Sequence, residues 1–536
     1  MGGFGRVVGL VVLACGCGSH SSPPAAVVQS KPVMRAAAVG DVRAVRPPDT
    51  PIAEPPRVAA PPPIVVGAAD RILLLGTLVT PDVVPDTVPD GAVLVERNLI
   101  TCVGSRASCA AMAGASGATV IETGGIIGAG LIDTHNHILF DIFNDDDWLP
   151  ARVYQDHDQW PNEPRYKAML DVKQCLVNAP QGKPAWCAQS RYGTAAGNLR
   201  CEIDKWGELK ALVAGTTSIV GLAGTTSDCV SSLARLIDSA HNGLGQDKLQ
   251  TSALFPPSTP STVCKNFASA KTTAFIVHAG EGTDAKALAE FNRLGTMTTP
   301  KKCLYASHTA ITHGTAFTAT EFAVMAAANM KLVWSPHSNV SLYGQTANIA
   351  AALDAGVKVS IAPDWSMGGS QNMLDEFRFA DAWDNAHWND RLSAKDIVMM
   401  GTLRGAQVVG LEGKLGTLEV GHLADIAVFG GDTAAPYEAI LAARPRDVRL
   451  VMVNGVALYG DDALRAAGPA RPGCEAIDIC GARKFLCVAT TATTNKFDQT
   501  YSQIHAAIDQ ALVDADALTP ADGFNFAPVA PLVTCN

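Results

Sequence analysis

Residues 128–137, GAGLIDTHNH, decide how the rest of the chain is interpreted. This short apolar run ends in His135, Asn136 and His137. Successive side chains of an extended strand point to opposite faces, so residues two positions apart share a face. The pattern therefore predicts a buried strand that presents two imidazoles to one point, a spacing suited to a single metal ion.

Three further apolar segments downstream end in histidine or aspartate. TTAFIVHAGEG brings His278 to the end of a predicted strand and places Glu281 three residues later. TAITHGTAF does the same for His313, with His308 nearby as an alternative for that position, and VKVSIAPD ends in Asp364. Each residue alone would more often be a core histidine or a turn-capping aspartate, but four such strand ends together favour a site. Polar residues at the carboxyl ends of successive strands favour an α/β fold, the parallel (β/α)8 TIM barrel.

The order His-x-His, His with a following Glu, His and Asp resembles the metal-dependent amidohydrolase superfamily, and within it the deaminase and chlorohydrolase branch. The similarity includes LVWSPHSNVSLYGQT, which resembles strand seven and the substrate loop of that branch. It extends over about residues 70–460, and the flanking GKLGTLEVGHLADIAVF belongs to it. Ala129 replaces the usual proline before the first strand, and His337 stands where many relatives carry arginine.

The resemblance implies that four side chains hold one divalent metal ion, and these are His135, His137, His278 and Asp364. Three neutral nitrogens and one carboxylate suit Zn²⁺ best and Fe²⁺ as an alternative, with a coordination position left for water. Binding would lower the pKa of that water towards about 7. A two-metal relative usually carries a carboxylated lysine at a middle strand end. The middle segment LQTSALFPP has no lysine, which favours a single ion.

The catalytic residues that the resemblance implies are Glu281, His313 and Asp364. Asp364 would hold or accept a proton of the water, and Glu281 would carry a proton to a ring nitrogen or leaving group. His313 would polarise the attacked carbon or steady the hydroxide.

Four further side chains are predicted to contact the substrate. His337, Asn339 and Tyr343 lie on the segment that follows strand seven, and Trp148 follows the first barrel strand. Asn339 also has an ordinary interpretation, because an amide can satisfy backbone groups in such a segment.

The domain organisation is predicted from composition and strand patterns. We expect a lipoprotein-type signal peptide, a linker rich in proline and alanine, a small composite β-sandwich domain built from both flanks of the barrel, the barrel itself and a cysteine-rich extension. Their bounds are 1–17, 18–66, 67–127 with 412–460, 128–411, and 461–536.

The first residues favour export. Arg6 precedes the short apolar run VVGLVVLA, and Cys15 follows as the residue that a bacterial lipoprotein would carry its lipid on, with Cys17 as a poorer alternative. The run is far shorter than the roughly 20 residues of a membrane span. We therefore expect a periplasmic or outer-membrane-associated protein whose membrane contact is only the lipid anchor.

Twelve cysteines follow the predicted signal peptide, and none of them forms a Cys-x-x-Cys motif. In an oxidising compartment such cysteines form disulfide bonds rather than zinc ribbons. We expect a local Cys102–Cys109 bond and pairing within the C-terminal group of four, which is Cys474, Cys480, Cys487 and Cys535.

Composition limits the classes of partner. The 536 residues include 48% hydrophobic and 17% charged residues, and the net charge is −10. No basic cluster indicates nucleic acid, and no P-loop or GxGxxG fingerprint indicates a nucleotide cofactor. A small-molecule substrate is expected, and a homo-oligomer is compatible with the sequence.

The preferred function is hydrolysis of a carbon–nitrogen bond other than a peptide bond, by deamination of a heterocycle. The His-x-x-Glu arrangement supplies the proton that a departing amine needs. Cyclic amide hydrolysis or dechlorination on the same scaffold is an alternative. A surface protein that binds a ligand and a metal without turnover is a second alternative, although binding alone requires neither Glu281 nor Asp364.

Overall fold

The computed structural model describes most of the chain after the predicted linker. The described residues are 64–535, apart from 181, 223–228, 240–241, 243, 245–247, 470–472 and 520–524. The predicted signal peptide and almost all of the linker lie outside them. Every helix within these described residues is too short or too polar to span a lipid bilayer.

The strands of the described part form two sets. Mainly antiparallel strands lie towards both ends of the chain, and short parallel strands lie between them. In chain order they are β1 (Ala68–Val79), β2 (Thr87–Glu96), β3 (Leu99–Ser105), β4 (Ala118–Ala129), β5 (Leu131–Asp133), β6 (Thr216–Ile219), β7 (Arg235–Leu236), β8 (Leu249–Ser252), β9 (Ala274–Ala279), β10 (Thr309–His313), β11 (Lys331–Trp334), β12 (Lys358–Ile361), β13 (Ile426–Phe429), β14 (Val448–Val453), β15 (Val456–Asp461), β16 (Cys474–Ile479) and β17 (Ala482–Cys487).

The α-helices mostly alternate with the short strands. They are α1 (Arg106–Ala110), α2 (Pro164–Leu176), α3 (Arg200–Leu212), α4 (Pro260–Ala268), α5 (Ala285–Thr296), α6 (Ala319–Ala327), α7 (Pro336–Tyr343), α8 (Ile349–Asp354), α9 (Met373–His387), α10 (Ala394–Met400), α11 (Leu403–Val409), α12 (Pro436–Ala442) and α13 (Tyr501–Leu518).

A nine-stranded sheet unites the two ends of the chain, with the order β16-β17-β15-β14-β13-β4-β1-β2-β3. Its centre is the antiparallel pair β4–β13, in which Ile127 lies opposite Val428. The two flanks of the central segment therefore meet in one sheet, and the C-terminal stretch extends its edge with β16 and β17.

The short strands form two parallel sheets, β5-β6-β7 and β12-β11-β10-β9-β8. The backbone joins them at one point, because the amide of Asp364 donates to the carbonyl of His135 at 3.2 Å and the amide of His137 donates to the carbonyl of Asp364 at 2.7 Å. The carboxyl ends of β5 and β12 are therefore neighbours. The architecture is mixed α/β, as the sequence predicted.

Local sequence explains the elements around these strand ends. Every residue of β9, AFIVHA, is buried, which is typical of a strand covered on both faces. The segment expected to be a substrate loop after strand seven is instead largely the helix α7. Pro336 occupies the first turn of that helix, and Gly344 ends it with a φ of 70°.

The twelve cysteines form six disulfide bonds, which confirms both sequence-based pairings. Cys102 bonds Cys109, and the C-terminal group forms two bonds between its own members. The pairs are Cys102–Cys109, Cys175–Cys187, Cys201–Cys229, Cys264–Cys303, Cys474–Cys487 and Cys480–Cys535.

Candidate metal centre and catalytic residues

The four predicted metal ligands meet at the carboxyl ends of β5, β9 and β12. One ligand atom from each of His135, His137, His278 and Asp364 lies within 4.8 Å of the others, and we name these residues the ligand cluster. The Nε2 atoms of His135 and His137 lie 2.8 and 3.4 Å from Oδ1 of Asp364. The His137 side chain is 21% exposed and that of His135 only 1%. Solvent therefore reaches the cluster on the His137 side.

Two residues of the site have left-handed backbone conformations. His313 and Asp364 both have a φ of 72°. This conformation costs a residue with a Cβ atom about 1–2 kcal/mol, and such strain is concentrated at functional sites. Neighbouring strands hold these turns, since the amide of Gly314 donates to the carbonyl of Ala279 at 3.1 Å.

A backbone carbonyl determines which nitrogen of His278 can bind a metal. Nδ1 of His278 lies 2.9 Å from the carbonyl oxygen of Ser252, at the end of β8. A carbonyl only accepts, so Nδ1 carries the proton and Nε2 keeps its lone pair. This is the tautomer that a metal-ligating histidine needs. No pattern in the sequence indicates Ser252, because the contact uses its backbone.

A chain of side-chain hydrogen bonds determines the opposite tautomer for His313. The indole Nε1 of Trp334 donates to Oγ1 of Thr346 at 2.7 Å, and that hydroxyl donates to Oδ1 of Asn339 at 3.2 Å. The amide nitrogen of Asn339 then donates to Nδ1 of His313 at 2.8 Å. The indole can only donate, so the Thr346 hydroxyl accepts from it and directs its own proton to Asn339. His313 therefore presents an Nε2–H group to the site.

A second group of three side chains also has its ligand atoms within 4.8 Å of one another, namely His278, Glu281 and His313. The tautomer of His313 makes it a hydrogen-bond donor there rather than a ligand. Glu281 accepts a hydrogen bond from the hydroxyl of Tyr343 on Oε1 at 2.6 Å, and its Oε2 lies 3.8 Å from Nε2 of His313. Glu281 and His313 therefore lie side by side next to the ligand cluster.

Burial sets the charge of these groups. Desolvation lowers the pKa of His135 and of His278 to about 3, and it holds the pKa of His137 and of His313 well below the usual value. The imidazoles are therefore neutral at neutral pH, the form that binds metals. Desolvation also raises the pKa of Glu281 to about 7, which suits a group that gains and loses a proton near neutral pH.

Two supporting residues were missed by sequence reasoning. Asp133 accepts hydrogen bonds from the backbone amide of His135 at 3.1 Å and from the amide group of Asn136 at 2.9 Å. Ser338 on α7 donates to Oδ2 of Asp364 at 2.5 Å. Asp133 was recognisable as an acidic residue at the end of the apolar run LID. Nothing in the sequence near Ser338 indicated its contact with Asp364.

A group of aromatic rings packs beside the ligand cluster, and we name it the aromatic cluster. Trp365 lies at its centre, with its ring 5.6 Å from that of His137. All of its members are buried. The rings around Trp365 lie 5.3–6.2 Å from it and belong to Phe140, Trp148, Trp160 and Tyr166. Trp365 was also missed, although it directly follows Asp364.

The predicted substrate residues reach the site in different ways. Trp148 belongs to the aromatic cluster, and its indole donates to Glu163 at 2.7 Å. Asn339 and Tyr343 are almost fully buried, and their polar atoms contact His313 and Glu281. Their polar atoms are therefore used in contacts with the two side chains that the sequence predicts to be catalytic.

His337, which was predicted to contact the substrate, and His308, the alternative to His313, both lie outside the ligand cluster. The ring of His337 stacks on Phe379 with 4.4 Å between centroids, and its Nδ1 lies 3.1 Å from Oγ of Ser370. His308 stacks on Phe267 at 4.8 Å. The structure therefore selects His313 over His308 for the site.

The donor set of the ligand cluster fits a divalent metal ion. Asp364 Oδ1 faces two of three neutral imidazoles, and a buried carboxylate needs a positive partner or strong hydrogen bonds. Nitrogen and carboxylate donors together suit Zn²⁺ or Fe²⁺. The same four residues are therefore able to hold the ion that the sequence predicted.

Comparison with known proteins gives a consistent result. The amidohydrolase family model matches residues 254–458. The chain is 26% identical over 371 residues to the 5-methylthioadenosine/S-adenosylhomocysteine deaminase of Moorella thermoacetica, covering 63% of this chain and 82% of that protein. It is 24% identical over 475 residues to the 5'-deoxyadenosine deaminase of Methanococcoides burtonii, covering 82% of this chain and 99% of that protein.

Solved structures show a similar fold at low identity. The atrazine chlorohydrolase of Arthrobacter aurescens TC1, complexed with zinc, aligns with a TM-score of 0.53 at 16% identity, covering 74% of this chain and 96% of that one. E. coli guanine deaminase aligns with a TM-score of 0.52 at 15% identity, covering 73% and 99%.

Proposed function

We propose, from the premise that this chain carries an amidohydrolase-family domain, that it is a metal-dependent hydrolase that uses water to deaminate a small heterocycle. One observation carries the proposal. The ligand cluster lies beside Glu281 and His313, a carboxyl and an imidazole whose hydrogen bonds leave them able to transfer or donate protons. The relatives named as deaminases support the same reaction class.

The finer architecture is part of the proposal. We assign the eight parallel strands β5–β12 to a (β/α)8 barrel over residues 128–411, whose seam is the pairing of Asn136 with Asp364. The nine-stranded sheet would supply the composite β-sandwich of residues 67–127 and 412–460, and residues 461–536 would be its extension. The similarity in fold to the solved atrazine chlorohydrolase and guanine deaminase supports this assignment.

The ligand cluster would hold one divalent ion, Zn²⁺ or Fe²⁺. When bound there, such an ion polarises a water molecule and lowers its pKa. The lone pair on Nε2 of His278 is available for it, and Asp364 is held by Ser338 so that Oδ1 faces the histidines. The Nε2–H group of His313 leaves that residue outside the ligand set.

The protein side chains would move the protons of the reaction. Asp364 takes a proton from the attacking water, and Glu281 delivers one to the ring nitrogen of the substrate. The water oxygen forms the new bond to carbon. Asp364 passes its proton to the amine, the carbon–nitrogen bond breaks, and ammonia leaves. The remaining proton of the water returns to Glu281, which restores both carboxyl groups. His313 donates its Nε2–H to the oxygen that develops on the attacked carbon.

The aromatic cluster indicates the kind of substrate. Its members place apolar ring surface beside His137, the exposed edge of the ligand cluster. Flat aromatic side chains favour a flat ring by stacking and exclude bulk water from the reaction. A small heterocycle suits this wall, and His337 is the candidate for a polar contact to it.

The compartment is also a proposal. Six disulfide bonds support an oxidising environment outside the cytosol, because cytosolic proteins keep their cysteines reduced. An exported lipoprotein anchored through Cys15 is compatible with this. Mass spectrometry of the N-terminal peptide from membrane fractions would detect the lipid, and an unmodified peptide there would exclude it.

Metal content and ammonia release test the central proposal together. The full chain, purified without chelator, should bind about one zinc or iron ion and release ammonia from 5'-deoxyadenosine or guanine in a substrate panel. The double variant His278→Ala, Asp364→Ala should lose both. His308→Ala is the matched control, since that histidine lies outside the ligand cluster, and it should keep the metal. A folded chain that binds no metal would refute the proposal, and one that binds the metal but releases no ammonia would favour the ligand-binding alternative.

A further inference from the structure

Three buried side chains form a hydrogen-bond relay that ends on the proposed proton shuttle. The indole Nε1 of Trp160 donates to the hydroxyl of Tyr343 at 3.0 Å. That hydroxyl donates to Oε1 of Glu281 at 2.6 Å. Trp160, Tyr343 and Glu281 are 9%, 3% and 6% exposed, so water does not compete strongly for these bonds.

The chemistry of the indole fixes the direction of the relay. An indole nitrogen donates and never accepts, so the Tyr343 oxygen must accept from Trp160. The single hydroxyl proton of Tyr343 is then left for Glu281. Oε1 of Glu281 is therefore an acceptor, and a proton carried by this carboxyl resides on Oε2.

The other oxygen of Glu281 faces the reaction centre. Oε2 lies 3.8 Å from Nε2 of His313, and the ligand atoms of Glu281, His313 and His278 lie within 4.8 Å of one another. The relay thus separates the two oxygens by role. One is held by the protein, and the other is directed at the place where the substrate would react.

A strap formed by residues 154–160 brings Trp160 to this position. The amide of Tyr154 donates to the carbonyl of Leu342 on α7 at 2.7 Å, and the amide of Thr283 donates to the carbonyl of Gln155 at 2.7 Å. The strap therefore contacts both the helix that carries Tyr343 and the loop that carries Glu281. It sets the relative positions of all three members of the relay.

We propose that Trp160 and Tyr343 are positioning residues for Glu281, which hold its Oε1 so that only Oε2 transfers protons during hydrolysis. This inference rests on the proposed function of the site. It also changes the role of Tyr343, which the sequence placed among substrate contacts. Its hydroxyl accepts a hydrogen bond from Trp160 and donates its one proton to Glu281.

Steady-state kinetics of Tyr343→Phe and Trp160→Phe with 5'-deoxyadenosine as the probe test the proposal. Loss of an outer partner of this kind typically lowers activity about 10- to 100-fold. We expect that loss in kcat for Tyr343→Phe, with KM and metal content close to those of the unmodified protein, and a smaller loss for Trp160→Phe. An unchanged kcat, or a raised KM at unchanged kcat, would overturn the proposal.

Tyr192→Phe provides a matched control. The hydroxyl of Tyr192 accepts from Arg191 at 2.9 Å and donates to the carboxylate of Asp514 at 2.6 Å. It is thus another phenol held between a donor and a carboxylate, in contact with α13. Its removal should leave kcat unchanged.

An infrared measurement gives a readout that does not depend on turnover. The carbonyl stretch of the protonated Glu281 carboxyl is identified at acidic pH by its loss in Glu281→Gln. Removal of the Tyr343 hydroxyl should move that band to higher frequency, because the carbonyl oxygen loses its hydrogen bond. A shifted band with no turnover in the unmodified protein would support the relay and refute the deaminase proposal. An unshifted band would refute the relay.

Discussion

The ligand cluster and the pair Glu281–His313 occupy neighbouring positions, but different features hold them. The ligand cluster follows from the backbone, since its members lie at or just after the ends of parallel strands and the carbonyl of Ser252 orients His278. The pair Glu281–His313 depends on side chains from distant segments, which reach it through Tyr343 and Asn339. The ligand cluster is thus a product of strand geometry, whereas the contacts of Glu281 and His313 are a product of tertiary packing.

Glu281→Gln separates the two regions most strongly. The amide cannot carry the proton, so kcat should fall by about 10²- to 10⁴-fold. The metal content should remain unchanged, because Glu281 is not in the ligand cluster. Metal analysis beside ammonia release measures both quantities. Loss of metal in this variant would show that the two regions are one unit.

Asn339→Leu tests the hydrogen bonds that hold His313. His313 would lose the donor that fixes its tautomer, and kcat should fall about 10- to 100-fold while the metal is kept. Thr346→Val leaves Asn339 in place but releases its orientation, so a smaller loss is expected. Equal effects of the two substitutions would contradict a directional chain of hydrogen bonds.

We expect the stability that the strap of residues 154–160 provides to fall at alkaline pH, because His157 loses its proton there. Nε2 of His157 lies 2.7 Å from Oε1 of Glu290, and Asp158 and Glu281 add negative charge nearby. Burial alone would lower its pKa, but these carboxylates together raise the pKa of His157 to about 9.

The pKa of His157 in the folded protein exceeds its unfolded value near 6.5. The stability that protonated His157 contributes is therefore complete below about pH 6.5 and is lost as the pH rises through about 9. A charge-assisted hydrogen bond of this kind contributes about 1.5 kcal/mol. Thermal unfolding between these pH values should show that loss in the unmodified protein and not in His157→Gln. Parallel pH profiles for the two proteins would refute the assignment.

Gly344→Ala should give the smallest effect. Gly344 ends α7 with a φ of 70°, and an added Cβ would lie 3.3 Å from the side chain of Val153. The left-handed conformation costs alanine about 1 kcal/mol, which chemical denaturation would detect. Gly356→Ala, also at positive φ but with nothing near the added Cβ, is the control for the purely conformational part.

The sequence was sufficient for the elements whose signal is local. The apolar runs before His135, His278, His313 and Asp364 identified strands and their polar ends, because a buried strand is recognisable from its composition and length. The Cys102–Cys109 bond was predictable because its signal is also local, with the two cysteines only seven residues apart.

Tertiary structure alone decided the roles of the side chains between those strands. The sequence predicts Tyr343 and Asn339 as substrate contacts, and only the structure shows that their polar atoms contact Glu281 and His313. Tyr343 lies 62 residues from Glu281 in the chain, and Asn339 lies 26 residues from His313. Trp160 lies 183 residues from Tyr343. Hydrogen-bond direction depends on which groups meet in space, and no local pattern in the chain records that.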